Sequence, residues 1–401
     1  MKKLLDEMIH KSLLENRFVG VNAAVYQNYE CIYENSFGMA NQEKNQPMQR
    51  DSIFRIYSMT KPVTAVAVMQ LVEQGKLCPD FPVSWYLPEF GNLKVYDPQT
   101  KKARIPRTEL RVQHLLNMTS GMPYANNMNP TQKDVSAFYY EMEKRRDSEN
   151  PVDLAEYCRK IAEIPLEFDP GTHWDYGISA DVLGGIVQAV SGMDYRDYLF
   201  KNIFNPLGMT DTDFYVPAEK LDRFTEAYMH DQLTEVYVAD GKNRIVPDHG
   251  CHLGLNDYKT LPAFISGGAG LCSTIPDYAK FATALANGGI SKDGVRIISE
   301  RALSYIRTPQ IGGEGFRKDQ NWDSLRGYDY GCLVRVLTDR KTAGTIANLG
   351  EFGWDGWTGT YFCVDPIERL VIFFWVQLAC AGTTPEAKLM RNIVYGNLQK
   401  E

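Results

Sequence analysis

The sequence predicts an α/β (α+β) protein: an antiparallel sheet flanked by helices from both termini, with a mainly helical unit inserted between them. Two observations carry this. Apolar strand patterns joined by polar turns lie near both ends of the 401-residue chain, each beside a helical pattern. Between them, roughly over 88–262, helical periodicity alternates with long Pro- and Gly-marked loops. The expected units are therefore 1–87 with 263–401, and an insert over 88–262, with a cleft at their junction, where pockets preferentially form.

In chain order, 4–14 has amphipathic helical spacing, and 21–26 and 31–37 are strands joined across Gln27-Asn28-Tyr29-Glu30. A short strand over 54–57 then enters a helix with Pro62 in its first turn, where the missing N–H costs nothing. Val63, Val66, Val68, Met69, Leu71 and Val72 leave that helix apolar on most sides, so it belongs inside the protein, and Gly75 stops it. Helices are expected over 153–164, 180–191 and 195–204, with 126–150 as a loop that shapes the cleft together with 229–262. A second hairpin over 360–364 and 370–376 and a closing helix over 386–398 complete the pattern.

Apolar content of 44% and charged content of 23% are those of a soluble globular protein. A net charge of −7 argues against nucleic acid or an anionic membrane as partner. Asp6 and Glu7 interrupt the apolar start, so a cytoplasmic location is expected. The eight cysteines contain no C-x-x-C pair and are expected to be reduced core residues. Asp248-His249-Gly250-Cys251-His252 holds metal-ligand residue types, too crowded for the usual zinc spacing. No metal and no organic cofactor is expected, and oligomeric state is not readable.

Ser58-Met59-Thr60-Lys61 carries the chemistry. Residues i and i+3 share a helix face, so Lys61 can reach Ser58 and take its proton during attack on a carbonyl. About one S-x-x-K arises by chance in a chain of this size, so context must support it. At a helix N-terminus, free N–H groups and the positive end of the dipole favour a developing oxyanion. Tyr176 lies in the Gly- and aromatic-rich loop 170–179, where a nearby Lys⁺ lowers a phenol's pKa and allows proton transfer; a simple packed aromatic is the competing reading. Phe352-Gly353-Trp354-Asp355-Gly356-Trp357-Thr358-Gly359-Thr360 places three glycines beside a strand, permitting close approach of a ligand, though a plain glycine-rich turn fits equally.

Taken in order, these pieces resemble the serine β-lactamase and penicillin-binding-protein superfamily, in its class C-like branch with family VIII carboxylesterases and related transesterases. Leu115-Leu116-Asn117-Met118-Thr119-Ser120-Gly121-Met122 is similar to that family's L-L-T-H-T-S-G-L segment. Phe168 through Tyr176, Asp181-Val182-Leu183-Gly184, Ala189-Val190-Ser191-Gly192, Asn205 through Thr212 and Gly267 through Thr274 match further segments in the same order. The resemblance implies a β-lactamase-like fold, Ser58 as acylated nucleophile, Lys61 as its base or the group that tunes it, and Tyr176 as proton shuttle. It also implies that Trp354-Asp355-Gly356 replaces the family's K-T-G, with the N–H groups of Ser58 and Trp357 as the oxyanion hole.

Two departures narrow the activity. The family's Tyr-x-Asn has Ile178 at its third position here, and Trp354 stands where a Lys or His meets the substrate carboxylate. An aromatic ring followed by Asp355 offers an anionic substrate no partner, and Asp355 is expected to repel one. The resulting expectation is a carboxylesterase acting on small-molecule esters, with acyl transfer to an alcohol as a variant. A β-lactamase or D-alanyl carboxypeptidase is the alternative, and a non-catalytic binding protein of the same fold the second. No G-x-S-x-G elbow is present.

Overall fold

The two ends of the chain meet as neighbours at the middle of one sheet. In the computed structural model, which describes residues 1–231, 245–248, 252–312, 322 and 325–398, eight antiparallel strands form this sheet. Their spatial order is Tyr328–Tyr330, Arg335–Leu337, Phe352–Asp355, Thr360–Asp365, Leu370–Trp375, Gly20–Gln27, Glu30–Asn41 and Gln46–Pro47. Asn22 faces Trp375 and Gln27 faces Leu370 across the central pair. The N-terminal hairpin turns at Asn28 and Tyr29, whose φ values of 47° and 69° suit the two-residue turns that match strand twist.

Thr360–Asp365 and Leu370–Trp375 are buried at every position, because helices cover both faces of the sheet. Ile275–Ala286 packs on one face, within the larger core that also holds Thr60–Glu73 against Ser179–Ser191. Lys2–Leu14 and Pro385–Gly396 pack on the other, around Val21, Ala23, Val25, Ile372 and Phe374. Thr60–Glu73 is buried continuously from Thr60 to Leu71, as its all-round apolar sequence requires. Gly75, at φ 66°, closes it in the left-handed conformation glycine adopts without strain.

Several elements differ from expectation. The loop expected over 126–150 contains the helix Pro130–Arg145: Asn129 caps it by accepting from the Gln132 amide at 2.9 Å, and Val135, Phe138, Tyr139 and Met142 form its buried stripe. The strand expected over 54–57 shrinks to Phe54–Arg55, paired with Cys272–Ser273, because Tyr57 already belongs to a 3₁₀ turn. The helix expected over 195–204 changes to π-type winding at Phe200–Phe204. Of the seven described cysteines, four are buried and Cys78 half-buried, but Cys31 and Cys380 are exposed, so the expectation that all sit in the core fails there. Within 248–252, residues 249–251 lie outside the described residues, and His252 pairs with Asp248 at 2.9 Å. Among the described residues, no helix is long and apolar enough to cross a membrane.

Candidate active site

Ser58 sits in the 3₁₀ turn Tyr57–Met59, immediately before the buried helix. Tyr57 is held at φ 39°, a left-handed conformation that a bulky residue adopts only when its surroundings enforce it. The surroundings do so. Ile56 N–H donates to Leu271 O at 3.0 Å, and Tyr278 Oη donates to Met59 O at 2.7 Å. The Arg55 carbonyl accepts from Thr358 Oγ1 at 3.2 Å and Gln377 Nε2 at 3.0 Å, and the Ile56 carbonyl from Thr360 Oγ1 at 3.3 Å. At Gly356 a Cβ would stand 2.5 Å from Ile56 O, so only glycine lets this strand end approach the Ser58 turn.

One helical turn on, Lys61 is completely buried, and its Nζ spends all three donors. They go to Ser58 Oγ at 3.1 Å, Tyr124 Oη at 2.8 Å and Gly268 O at 2.9 Å. Burial lowers the Lys61 pKa from 10.5 to about 7, against the more distant pull of Asp181 and Asp355. Asp181 lies behind the Gly268 peptide, accepting from Gly268 N–H at 3.0 Å and Ser266 Oγ at 2.5 Å. Its own pKa is raised by burial, opposed by the Ser266 hydrogen bond and by Lys61.

Tyr176 lies in the loop preceding Ser179–Ser191, with its hydroxyl hydrogen-bonded to Ser58 and accepting from Trp354 Nε1 at 2.9 Å. Lys61 Nζ is 4.6 Å from its ring centroid. The expectation that Lys61 lowers the Tyr176 pKa is corrected: burial raises it and outweighs the Ser58 and Trp354 hydrogen bonds, so the phenol stays protonated. Tyr124, the third Lys61 partner, was missing from the sequence reading. Its signal was position: it follows the 115–122 segment by two residues, and Pro123 bridges to Gly177. A Cβ on Gly177 would meet Met122 O at 1.9 Å, so glycine there lets the two loops touch and sets the Tyr124 and Tyr176 rings 5.6 Å apart.

Strand alternation separates Trp354 from Asp355. Trp354 pairs with Phe362 and packs beneath Tyr176 at 5.3 Å, only 2% exposed, so it positions Tyr176 rather than presenting a surface to a substrate. Asp355 pairs with Tyr361 on the opposite face, where Thr383 Oγ1 donates to it and Arg335 is its foremost charge partner. The expectation that Asp355 repels a substrate anion is thereby corrected, since its carboxylate turns away from Tyr176. Ile178 is 1% exposed and donates its amide to Met122 O at 3.1 Å, leaving little side chain for a ligand. Gly356 N–H is spent on Thr360 O at 2.6 Å. The Trp357 N–H has no acceptor among the described residues, and the half-buried Trp357 ring lies edge-on to Tyr57 at 5.4 Å and 4.2 Å from His252.

Comparison with known proteins places this arrangement. The family model described as Beta-lactamase matches residues 3–389. Esterase EstB of Burkholderia gladioli is 31% identical over 398 residues, covering 98% of this chain and 94% of its own length. The solved structure of EstCE1, described as a hydrolase with promiscuous acyltransferase activity, superposes with a TM-score of 0.79 at 23% identity, over 98% of both chains. Simvastatin synthase LovD of Aspergillus terreus gives a TM-score of 0.79 at 21% identity, over 99% of this chain and 98% of its own. With a match that spans nearly its whole length, this chain belongs to the Beta-lactamase family.

Proposed function

We propose that this protein is a serine hydrolase that cleaves small, neutral carboxylic esters through an acyl-enzyme on Ser58. One observation carries the reading: Lys61 is fully buried, touches no carboxylate, and stands 3.1 Å from Ser58 Oγ with its pKa lowered to about 7. In its neutral form the amine gives up the donor aimed at Ser58 Oγ, keeps those to Tyr124 and Gly268, and turns a lone pair to the serine proton. Ser58 Oγ bonds to the ester carbonyl carbon, and its proton passes to Lys61. The carbonyl oxygen becomes an oxyanion, for which the Trp357 N–H, without an acceptor among the described residues, and the Ser58 N–H are the donors. When the ester C–O bond breaks, Tyr176, kept protonated by burial, protonates the alkoxide. The net proton transfer from Ser58 to the alcohol thus runs through Lys61 and Tyr176. Water then attacks the acyl-enzyme by the reverse route.

The ester relatives support this reading, and EstCE1's description supports acyl transfer when an alcohol replaces water. The antibiotic and peptidase alternatives are disfavoured because Trp354 supplies no cation and its N–H is committed to Tyr176. The reading includes a cytoplasmic location, a small-molecule ester as sole required partner, and a cleft between the unit 1–87 with 263–401 and the insert 88–262. Hydrolysis of p-nitrophenyl butyrate tests it. Wild type turns the ester over and is labelled by a fluorophosphonate, and Ser58→Ala loses both; unchanged turnover in that variant sinks the assignment.

A further inference from the structure

We propose that Asp181 and Ser266 are positioning residues for Lys61, carrying a carboxylate's negative charge to its Nζ through one hydroxyl and one peptide group, without contact between the two ions. The inference rests on the ester reading, in which Lys61 takes the Ser58 proton.

The path can be followed atom by atom. Asp181 stands in the first turn of Ser179–Ser191, and its buried Oδ1 accepts from Ser266 Oγ at 2.5 Å. Ser266 Oγ in turn accepts from the Ala269 N–H at 2.9 Å. That N–H shares a peptide group with the Gly268 carbonyl, which accepts from Lys61 Nζ at 2.9 Å. Ser266, Ala269 and Lys61 are all buried, so bulk water does not screen the chain of bonds. At Gly267 a Cβ would stand 2.3 Å from Ala180 O, and glycine there brings this loop against the end of the helix.

The directions of the hydrogen bonds fix the sign. Ser266 Oγ takes two N–H groups, from Ala269 and from Gly268 at 3.2 Å, so its own proton points to Asp181. Asp181 Oδ1 also accepts from Gly268 N–H at 3.0 Å, at the positive end of a helix. Donors on every side hold the carboxylate in its charged form against the burial that raises its pKa. Each link polarises the next, and the Gly268 carbonyl becomes a stronger acceptor for Lys61. No proton moves along the path. When Ser58 Oγ gives its proton to Lys61, the new ammonium has its counter-charge already in place. A carboxylate in direct contact would keep the ammonium charged and leave no base; at this remove Lys61 holds a pKa of about 7. Asp355, the second acid acting on Lys61, is bonded instead to Thr383 on the other face of the sheet.

The remaining titratable groups around the pair are phenols and a thiol. Tyr124 and Tyr176 flank Lys61, and Asp181 acts on Tyr139, Tyr157, Tyr195 and Cys158; burial raises all of them, so none ionises near neutral pH. Asp175, raised to about 7 by burial and by Glu167, does titrate there, but it is the same in every variant below.

The pH dependence of kcat/KM for p-nitrophenyl butyrate, measured on the full chain from about pH 5 to 9, decides this. Its acid limb reports the loss of neutral Lys61 as pH falls. Removing the negative charge makes the ammonium harder to form, so the limb moves to lower pH. Asp181→Asn, which keeps the shape and an oxygen acceptor, is expected to move it by about one pH unit and to lower the plateau about tenfold. Ser266→Ala keeps the charge and cuts the path; it is expected to move the limb the same way by about half as much, and Ser266→Thr, which restores the hydroxyl, to return it. The position of the limb does not depend on how much of a preparation is folded. A lower plateau with unmoved limbs means a purely structural role and overturns the proposal, as does a limb that moves in Asp181→Asn but stays in Ser266→Ala. If Asp181→Asn is inactive, the Ser266 pair decides: displacement in Ala with return in Thr supports the path, and two wild-type limbs overturn it. Turnover that survives in Ser58→Ala sinks the ester reading instead, so the two failures are told apart.

Discussion

Both faces of the sheet bury cations, and they do so with opposite results. Beside Ser58, Lys61 is sealed among two hydroxyls and a carbonyl, and burial brings its pKa down to about 7. On the other face Arg335 and Arg391 are equally buried but remain charged, held by aromatic rings and by Glu351. The difference lies in the chemistry of the head group rather than the depth. An ammonium escapes desolvation by releasing a proton, so a buried lysine becomes a base. A guanidinium cannot, so a buried arginine becomes a permanent charge that gathers anions and π-faces around it.

Exchanging the head groups is the most severe test of this contrast. Lys61→Arg keeps the charge and removes the base, and a loss of about 10²- to 10⁴-fold in ester turnover is expected. A variant within tenfold of wild type would show that Lys61 acts only as a charge. Next in size, Arg391→Met leaves Glu351 without its cation and is expected to destabilise the fold by about 3–5 kcal/mol, read by denaturant unfolding, while Ser58 still accepts a fluorophosphonate. A stability change below about 1 kcal/mol would mean that the far-face ions are not coupled.

A smaller effect appears in the pH dependence of stability. With the folded Lys61 pKa near 7 and the reference value at 10.5, the unfolded chain binds more protons between those limits, so this group's destabilising contribution is full below about pH 7 and fades as pH rises toward 10.5. Lys61→Met is therefore expected to raise the melting temperature most at neutral pH, the advantage shrinking by pH 10. A constant difference across that range contradicts a lowered Lys61 pKa. The smallest effect is expected from Trp354→Phe, which keeps the ring under Tyr176 but deletes its 2.9 Å donor. About tenfold in kcat with little change in KM is anticipated, the equivalent of one neutral hydrogen bond.

The sequence was most legible where period and chemistry were local. The terminal hairpins follow from apolar strand runs joined by short polar turns, and the Ser58 to Lys61 spacing needs only one helical turn to bring the groups together. Features set by long-range packing were not visible. The Pro130–Arg145 helix carries an Asn cap and a buried stripe, but its charged faces and the surrounding polar residues masked them as a loop. Tyr124 enters the site only through contact between two loops at Gly177. The opposed directions of Trp354 and Asp355 depend on strand register, and neighbours in sequence look equally available until that register is known.

The ties that fix the Ser58 turn also set when that turn can take its final shape. The carbonyls of Arg55 and Ile56 are held by Thr358, Thr360 and Gln377, residues 303 to 322 positions later. A chain still emerging from the ribosome has made Ser58 and Lys61 long before it has made those anchors. Leu271 and Tyr278 can tie the turn at Tyr57 earlier, but the Arg55 and Ile56 carbonyls stay unanchored until the last strands dock, so the turn's full restraint arrives only with the completed fold.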